Sequence, residues 1–170
     1  MIKNTVVFLL LCAGVAHADC GPQQQTFMSC QIEGQSEHVS VCFDDDVAEY
    51  VFGPEGQPEL SLSEPVQTLS YTPWPGVGRS IWEDVTFRNG AYTYTVFGGF
   101  DRMFGDETEE DHAQPFFGGV HVRRGDVSVA ELTCDRTTVD FAWGGGLWDA
   151  KQAAGMTWNF ETRQWEAASE

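Results

Sequence analysis

Basic residues are scarce in this chain. It has nine Lys and Arg against 26 Asp and Glu in 170 residues, which gives a formal net charge of −17. Such a chain is repelled by nucleic acids and by anionic membranes, whereas a cationic protein is attracted to it at low salt. We therefore expect a cationic protein partner and no nucleic acid. A simpler interpretation is that the acidic surface keeps an exported protein soluble.

Catalytic motifs are also missing. The sequence contains no G-x-S-x-G nucleophile motif, no P-loop and no dinucleotide-binding fingerprint. His38, His112 and His121 lack the i, i+4 spacing and the neighbouring ligands of a zinc site. The sequence therefore predicts a protein that is not an enzyme, with no catalytic residue, no metal site and no cofactor. The alternative is an enzyme whose two carboxylates are brought together only by the fold.

Long apolar runs are confined to the start of the chain. Lys3, the apolar stretch at 6–11 and Ala16-His17-Ala18 are typical of a signal peptide with its cleavage site. No later run approaches the roughly 20 apolar residues that span a bilayer. Neither cysteine near this cleavage site follows the small residue that a lipoprotein signal requires. We expect residues 1–18 to be a signal peptide and 19–170 a single β domain, periplasmic or secreted, without a membrane anchor.

Four cysteines remain after the signal peptide: Cys20, Cys30, Cys42 and Cys134. An even number of cysteines in an exported domain predicts two disulfides. Alternation along the strands places Cys30 and Cys134 on inward, apolar faces and Cys42 on an outward face. Matching these faces predicts a Cys30–Cys134 bond inside and a Cys20–Cys42 bond outside. A bulge near Val129, which lies on the face opposite Leu132, would reverse this pairing.

Short strand-like runs separated by turn residues follow one another along most of the chain. A parallel sheet needs helical crossovers, and the only helical pattern lies at 147–154, ended by Gly155. The sequence therefore predicts an all-β fold, an antiparallel eight-stranded barrel or sandwich with one short C-terminal helix. The predicted strands are 26–33, 39–44, 47–52, 59–62, 66–71, a central hairpin in the 80s and 90s, 116–123, 127–134, 139–143, and a short strand or hairpin within 157–165.

The central hairpin is organised around Asn89-Gly90, a dipeptide that accepts positive φ at both central positions of a type I′ turn. This turn would pair Phe87 with Tyr92 and Val85 with Tyr94. One face of the hairpin would then carry Ile81, Val85, Phe87, Tyr92, Tyr94 and Val96, interrupted only by Glu83. The other face, which meets solvent or a partner, would carry Asp84, Thr86, Arg88, Thr93 and Thr95.

The loop before this hairpin, Trp74-Pro75-Gly76-Val77-Gly78-Arg79, is too rich in Pro and Gly to form a regular element. It presents an aromatic residue and a cation, which are residue types that dominate binding energies at interfaces. The predicted binding site consists of Trp74, Gly76, Gly78, Arg79, Ser80 and Trp82. In the alternative interpretation, Trp74 caps the core and Arg79 pairs with Glu83 or Asp84.

Residues 106–115 are strongly acidic and contain almost nothing apolar, which predicts an exposed loop. The alternative there is calcium binding through Asp106, Glu107, Glu109 and Asp111. The segment lacks the glycine and the ligand spacing of an EF-hand, so we favour a solvated loop. The run Asp44-Asp45-Asp46 is interpreted as a hairpin turn.

Seven short stretches are distributed over nearly the whole chain after the signal peptide. They are CQIEG at 30–34, VCF at 41–43, YVFG at 50–53, PEL at 58–60, PWPGVGRSIWEDVTFRNG at 73–90, GGV at 118–120 and LTCD at 132–135. Together they resemble a family of uncharacterised secreted proteobacterial proteins. The resemblance agrees with export and implies no activity.

The plan of the chain is that of a small, acidic, exported protein with disulfides, antiparallel strands and an early hairpin that contains cysteine. In this it is similar to the bacterial inhibitors of c-type lysozyme. Those inhibitors have a Ser-Gly-x-x-Tyr loop that residues 76–80 do not match, so no inhibitor residue is assigned here.

From charge, export and this similarity we expect an acidic binding protein of the cell envelope, in its most concrete form an inhibitor of a cationic hydrolase such as lysozyme. We expect it to be a monomer. One alternative is an envelope hydrolase with a carboxylate pair assembled by the fold. Another is a structural protein of the envelope.

Overall fold

The computed structural model describes residues 20–102, 115–144 and 146–169. The predicted signal peptide at 1–18 and the acidic loop, apart from its last residue, lie outside the described residues. Within the described residues, none of the helices has the length and apolar character needed to cross a membrane.

The described chain is built mainly from antiparallel strands. In order they are β1 (Gln25–Gln31), β2 (Glu37–Phe43), β3 (Val47–Pro54), β4 (Leu60–Pro65), β5 (Ser70–Thr72), β6 (Ser80–Asn89), β7 (Tyr92–Asp101), β8 (Phe116–Arg124), β9 (Val127–Thr133), β10 (Asp140–Phe141), β11 (Met156–Asn159) and β12 (Gln164–Ala167). One α-helix, α1 (Gly146–Ala153), precedes β11. Gly155 follows this helix at φ 78°, the left-handed conformation that ends a helix at least cost for glycine.

The strands form three sheets. Two have five strands each, in the orders β10-β1-β2-β3-β4 and β5-β6-β7-β8-β9, and β11 pairs with β12. The antiparallel, mainly β architecture with one short helix is confirmed, but none of the three sheets closes into a barrel. Between β4 and β5, which are edge strands of the two large sheets, the predicted strand 66–71 is interrupted. Thr68 and Leu69 both donate backbone hydrogen bonds to the Pro65 carbonyl there and form a turn. Where β1 and β9 end, a single bridge between Ile32 and Cys134 links the two large sheets.

The core lies between the inner faces of the two five-stranded sheets. Tyr50 of β3 contacts Phe87 of β6 with ring centres 5.7 Å apart, and both rings are buried. Gly98 of β7 faces Phe141 and Met28, and a Cβ at this position would overlap the Phe141 ring. The close approach of the sheets here therefore requires glycine.

The central hairpin has the predicted faces but not the predicted register. Asn89 pairs with Tyr92 and Phe87 with Tyr94, so Gly90 and Ala91 are the two turn residues. Gly90 has φ 60°, while Ala91 does not have positive φ, which fits a type II′ turn rather than type I′. The predicted pairing was wrong by two residues. Because side chains alternate with a period of two, this error leaves every residue on the face that the sequence predicts.

We expect Gly90→Val to lower the free energy of unfolding by about 1 to 3 kcal/mol, because a β-branched residue resists the left-handed φ. No atom lies within 4 Å of a Cβ built at Gly90, so crowding adds nothing to this cost. Urea denaturation measures the change. Asn89→Val is the matched control and should change stability by less than about 0.5 kcal/mol, since Asn89 ends a strand. An equally large loss in Asn89→Val would mean that Asn89 also has positive φ, as in the type I′ turn.

The two disulfides join the cysteines that were paired by matching the strand faces: Cys20 with Cys42, and Cys30 with Cys134. The Cys30–Cys134 bond is buried and ties β1 to the end of β9, and so ties one large sheet to the other. A bulge does occur in β9, where Val129 is left without a partner on β8. It precedes Ala130, so Leu132 and Cys134 keep the predicted inward face.

Candidate functional site

The loop at residues 73–79 is held in place by Arg102. The Arg102 guanidinium lies 5.4 Å from the centre of the Trp74 ring and donates a hydrogen bond to the Gly78 carbonyl at 2.9 Å. The Arg102 backbone N–H donates to the Arg79 carbonyl at 3.1 Å. These contacts fix the loop to the beginning and end of the β6–β7 hairpin.

Gly76 and Gly78 shape the exposed tip of this loop, where the Arg79 side chain is also exposed. The two glycines have φ of 81° and 103°, and no atom lies within 4 Å of a Cβ built on either. Left-handed backbone, rather than close approach of a neighbour, is therefore what requires glycine at both positions.

The other three predicted binding residues have different surroundings. The Ser80 hydroxyl donates to Asp101 Oδ1 at 2.6 Å, a bond across the β6–β7 pair. Trp74 lines a groove with Trp143, described below. Trp82 instead lines a cavity of about 150 Å³ with Trp158, and a second one on the outer face of β6. The two tryptophans of the predicted site thus contribute to separate cavities.

The groove at Trp74 has a volume of about 270 Å³ and is lined by Pro73, Trp74, Glu83, Trp143, Gly144, Trp148 and Phe160. We call it the aromatic groove. The rings form two pairs: Trp74 and Trp143 have centres 6.4 Å apart at 83°, and Trp148 and Phe160 have centres 6.4 Å apart at 39°. Trp143 is 47% exposed and Phe160 77% exposed, so a ligand can reach these rings from solvent.

Helix α1 positions Trp148 in this groove. Leu147, Ala150 and Lys151 are the buried residues of the helix, which leaves Trp148 half-buried at the side. The Trp148 ring also lies edge-on to Trp165 of β12, with centres 5.0 Å apart. Packing against the C-terminal hairpin therefore holds the ring in place.

Glu83 is the only charged residue that lines the aromatic groove among the described residues. It is 8% exposed, and its carboxyl group accepts hydrogen bonds from the Tyr71 hydroxyl at 2.8 Å and from the Trp74 backbone N–H. Burial raises the pKa of Glu83, and the nearby Asp84 adds to the rise, while the two hydrogen bonds oppose it. The buried Trp74 Nε1 has no hydrogen-bond partner in the described part of the chain.

Four aromatic rings around one buried carboxyl group are suited to binding a cation. The negative faces of indole rings attract ammonium and guanidinium groups, and the attraction strengthens when the cation loses water. An approaching cation would also favour the ionised form of Glu83. In the described ranges no three His, Cys, Asp or Glu side chains come close enough to hold a metal ion.

Sequence reasoning missed Trp143, Trp148 and Phe160. All six tryptophans of the chain line this groove or the two cavities beside it. A signal was present, because four of the six lie after residue 142, in a region with few predicted strands. Aromatic residues concentrated outside the strands that build the core are candidates for a surface site.

Comparison with known proteins identifies no relative: the chain matches no family model, no curated protein and no solved structure. The resemblances to secreted proteobacterial proteins and to the lysozyme inhibitors therefore stay predictions.

Proposed function

We propose that this protein is an exported binding protein that takes a cationic side chain of a basic protein partner into the aromatic groove. The observation that carries the proposal is the arrangement of four rings around the buried Glu83 carboxyl group. A lysine or arginine side chain inserted there would contact the aromatic lining and lie near the carboxylate. Each cation–π contact of this kind contributes about 0.5 to 2 kcal/mol.

The charge of the chain supports a basic partner. With a formal net charge of −17, the protein attracts cationic proteins and accelerates their encounter at low salt. In its most concrete form the proposal is an inhibitor of a cationic hydrolase such as c-type lysozyme, whose cleft the protein would block. Two disulfides and the predicted signal peptide support a place outside the cytoplasm.

A hydrolase is the second candidate, and the raised pKa of Glu83 favours it because general acids often have this property. The neighbouring carboxyl group, Asp84, lies on the opposite face of β6, where it lines a cavity with Phe97 and His121. Adjacent residues of one strand point to opposite faces, so these two cannot act as a pair. Turnover of peptidoglycan or another glycan, abolished in Glu83→Gln, would support the hydrolase.

We expect the double variant Trp143→Ala/Phe160→Ala to bind c-type lysozyme at least about tenfold more weakly than the wild type, because it loses the two accessible rings of the groove. Glu83→Gln keeps the hydrogen-bond acceptor but not the charge, and should also weaken binding. Surface plasmon resonance at low and high salt measures both effects. The melting temperature of the double variant should fall by only a few degrees, since Phe160 is largely exposed and Trp143 is half-exposed.

The matched control is Val129→Ala, which removes an exposed apolar side chain from β9, away from the groove. It should bind as the wild type does. Lysozyme binding that survives in the double variant would exclude the groove as the contact site. If lysozyme does not bind at all, titration with tetramethylammonium tests the cation preference alone, and failure there as well would refute the proposed function.

A further inference from the structure

A second groove lies between β5 and the C-terminal hairpin β11–β12, with a volume of about 460 Å³. Three basic residues line it, Arg88, Lys151 and Arg163, together with Tyr71, Trp158 and Trp165. We call it the basic groove. No Asp or Glu is among the described residues that line it. Three basic side chains and no acidic one are unexpected along a groove in a chain with 26 acidic and nine basic residues.

Lys151 is the central observation. The side chain is 1% exposed, and its Nζ donates one hydrogen bond, to the Gln67 carbonyl at 3.1 Å. The ammonium group also lies 5.4 Å from the centre of the Trp165 ring. Lys151 forms no ion pair with any described residue, and an ammonium has three hydrogens to donate. A buried charge with unused donors is unfavourable unless a ligand supplies an acceptor.

Arg163 enters the same groove from the turn between β11 and β12. It is the one residue other than glycine with left-handed φ, 55°, in the described part of the chain. The Asn159 carbonyl accepts its backbone N–H at 2.8 Å and fixes this turn. A long side chain is disfavoured in that conformation, whereas glycine is not. We therefore attribute the arginine at this position to a function of its side chain, because glycine would form the turn at lower cost.

We propose that the basic groove binds a compact oxyanion, a carboxylate or phosphate group, free or carried by a small molecule whose ring stacks on a tryptophan. Lys151 supplies a desolvated point charge, and Arg88 and Arg163 supply planar guanidinium groups that match two oxygens of such an anion. Trp158 and Trp165 offer apolar surface to the rest of the molecule. The volume lies within the range of small-molecule sites. This site does not depend on the cation-binding function proposed above.

The test uses the oxidised full domain and two probes, inorganic phosphate and glucuronate, with glucose as the neutral counterpart of glucuronate. Tryptophan fluorescence and calorimetry measure binding. Binding of phosphate alone, glucuronate alone or both supports the site and identifies the anion. Binding of neither, or equal binding of glucose and glucuronate, would overturn it.

Variants show whether the bound anion occupies this groove. Lys151→Met should weaken binding at least about tenfold. Arg163→Gly should weaken it several-fold without lowering the melting temperature, because glycine suits the left-handed turn. Arg124→Ala, which removes an exposed arginine outside the groove, is the matched control and should leave affinity within about twofold. Equal losses in Arg124→Ala and Arg163→Gly would mean non-specific attraction and would refute the proposal.

Discussion

Replacing both Cys30 and Cys134 by alanine should lower the free energy of unfolding by about 5 kcal/mol. The bond joins residues 104 positions apart, and closing a loop of roughly 100 residues in the unfolded chain removes entropy equivalent to about 4.7 kcal/mol. It is also one of the few connections between the two large sheets, beside the Ile32–Cys134 bridge. Without it, the shared core, the Ile32–Cys134 bridge and the hydrogen bond from the Arg88 backbone N–H to Glu64 are left to hold the sheets together.

The comparison with the second disulfide makes this prediction specific. The Cys20–Cys42 bond spans 22 positions, for which the same relation gives about 3.4 kcal/mol, and it ties the segment before β1 to β2. Urea denaturation of both double-alanine variants, without reductant, measures the two losses. A larger loss for Cys20→Ala/Cys42→Ala would show that the Cys30–Cys134 bond contributes less than its loop length implies.

Lys151→Met should raise the free energy of unfolding by about 2 kcal/mol at neutral pH. Burial lowers the pKa of Lys151 from 10.5 to about 8, so keeping the buried side chain charged costs about 3 kcal/mol. Methionine removes this cost and keeps apolar contact with Trp165. The hydrogen bond to the Gln67 carbonyl is lost, which offsets the gain by about 1 kcal/mol.

The advantage of the variant should disappear as the pH rises. Between about pH 8 and 10.5 the unfolded chain holds the Lys151 proton and the folded chain has released it, so the wild type gains stability across this window. Tyr71, Arg88 and Arg163 line the same groove as Lys151, and all three are kept in the variant, so the two proteins differ only at residue 151.

Denaturation of the wild type and Lys151→Met at about pH 7 and about pH 9.5 measures the difference. Arg124→Met, at an exposed position, is the control and should show no such change with pH. A stability difference that stays constant between the two pH values would mean that Lys151 keeps an ordinary pKa. The same variant is expected to lose anion binding, so a gain in stability with a loss of ligand would identify Lys151 as a residue kept for binding.

The alternation of side chains made much of the fold predictable. Cys30 and Cys134 could be paired because each lies on an apolar face, and the bulge at Val129 did not disturb the face of Cys134. The faces of the central hairpin were predicted for the same reason. The register of the hairpin was not predicted correctly, because a shift of two residues preserves both faces and therefore leaves the sequence pattern unchanged. Gly90 alone has the positive φ that was expected for Asn89 as well.

Whether the sheets close into a barrel could not be predicted from the sequence, for a related reason. Local pattern indicates that a segment is extended, but pairing at the sheet edges depends on where the neighbouring strand ends. The turn that follows Pro65 shortens β5 to three residues, and β4 is left without β5 as a partner. Such a turn is stabilised by its own hydrogen bonds, which an apolar alternation at 66–71 does not reveal.

The sequence by itself determined the antiparallel strands, the two disulfides, the helix before Gly155 and the strong negative charge, because each follows from the order of neighbouring residues or from composition. Only the tertiary structure decided where the sites lie. Trp74 and Trp82, eight positions apart, line separate cavities, while Trp74 and Trp143 share one. Lys151 becomes a buried cation only because the C-terminal hairpin places Trp165 over it. Grooves form where distant segments meet, and those meetings are set by core packing, which no local pattern encodes.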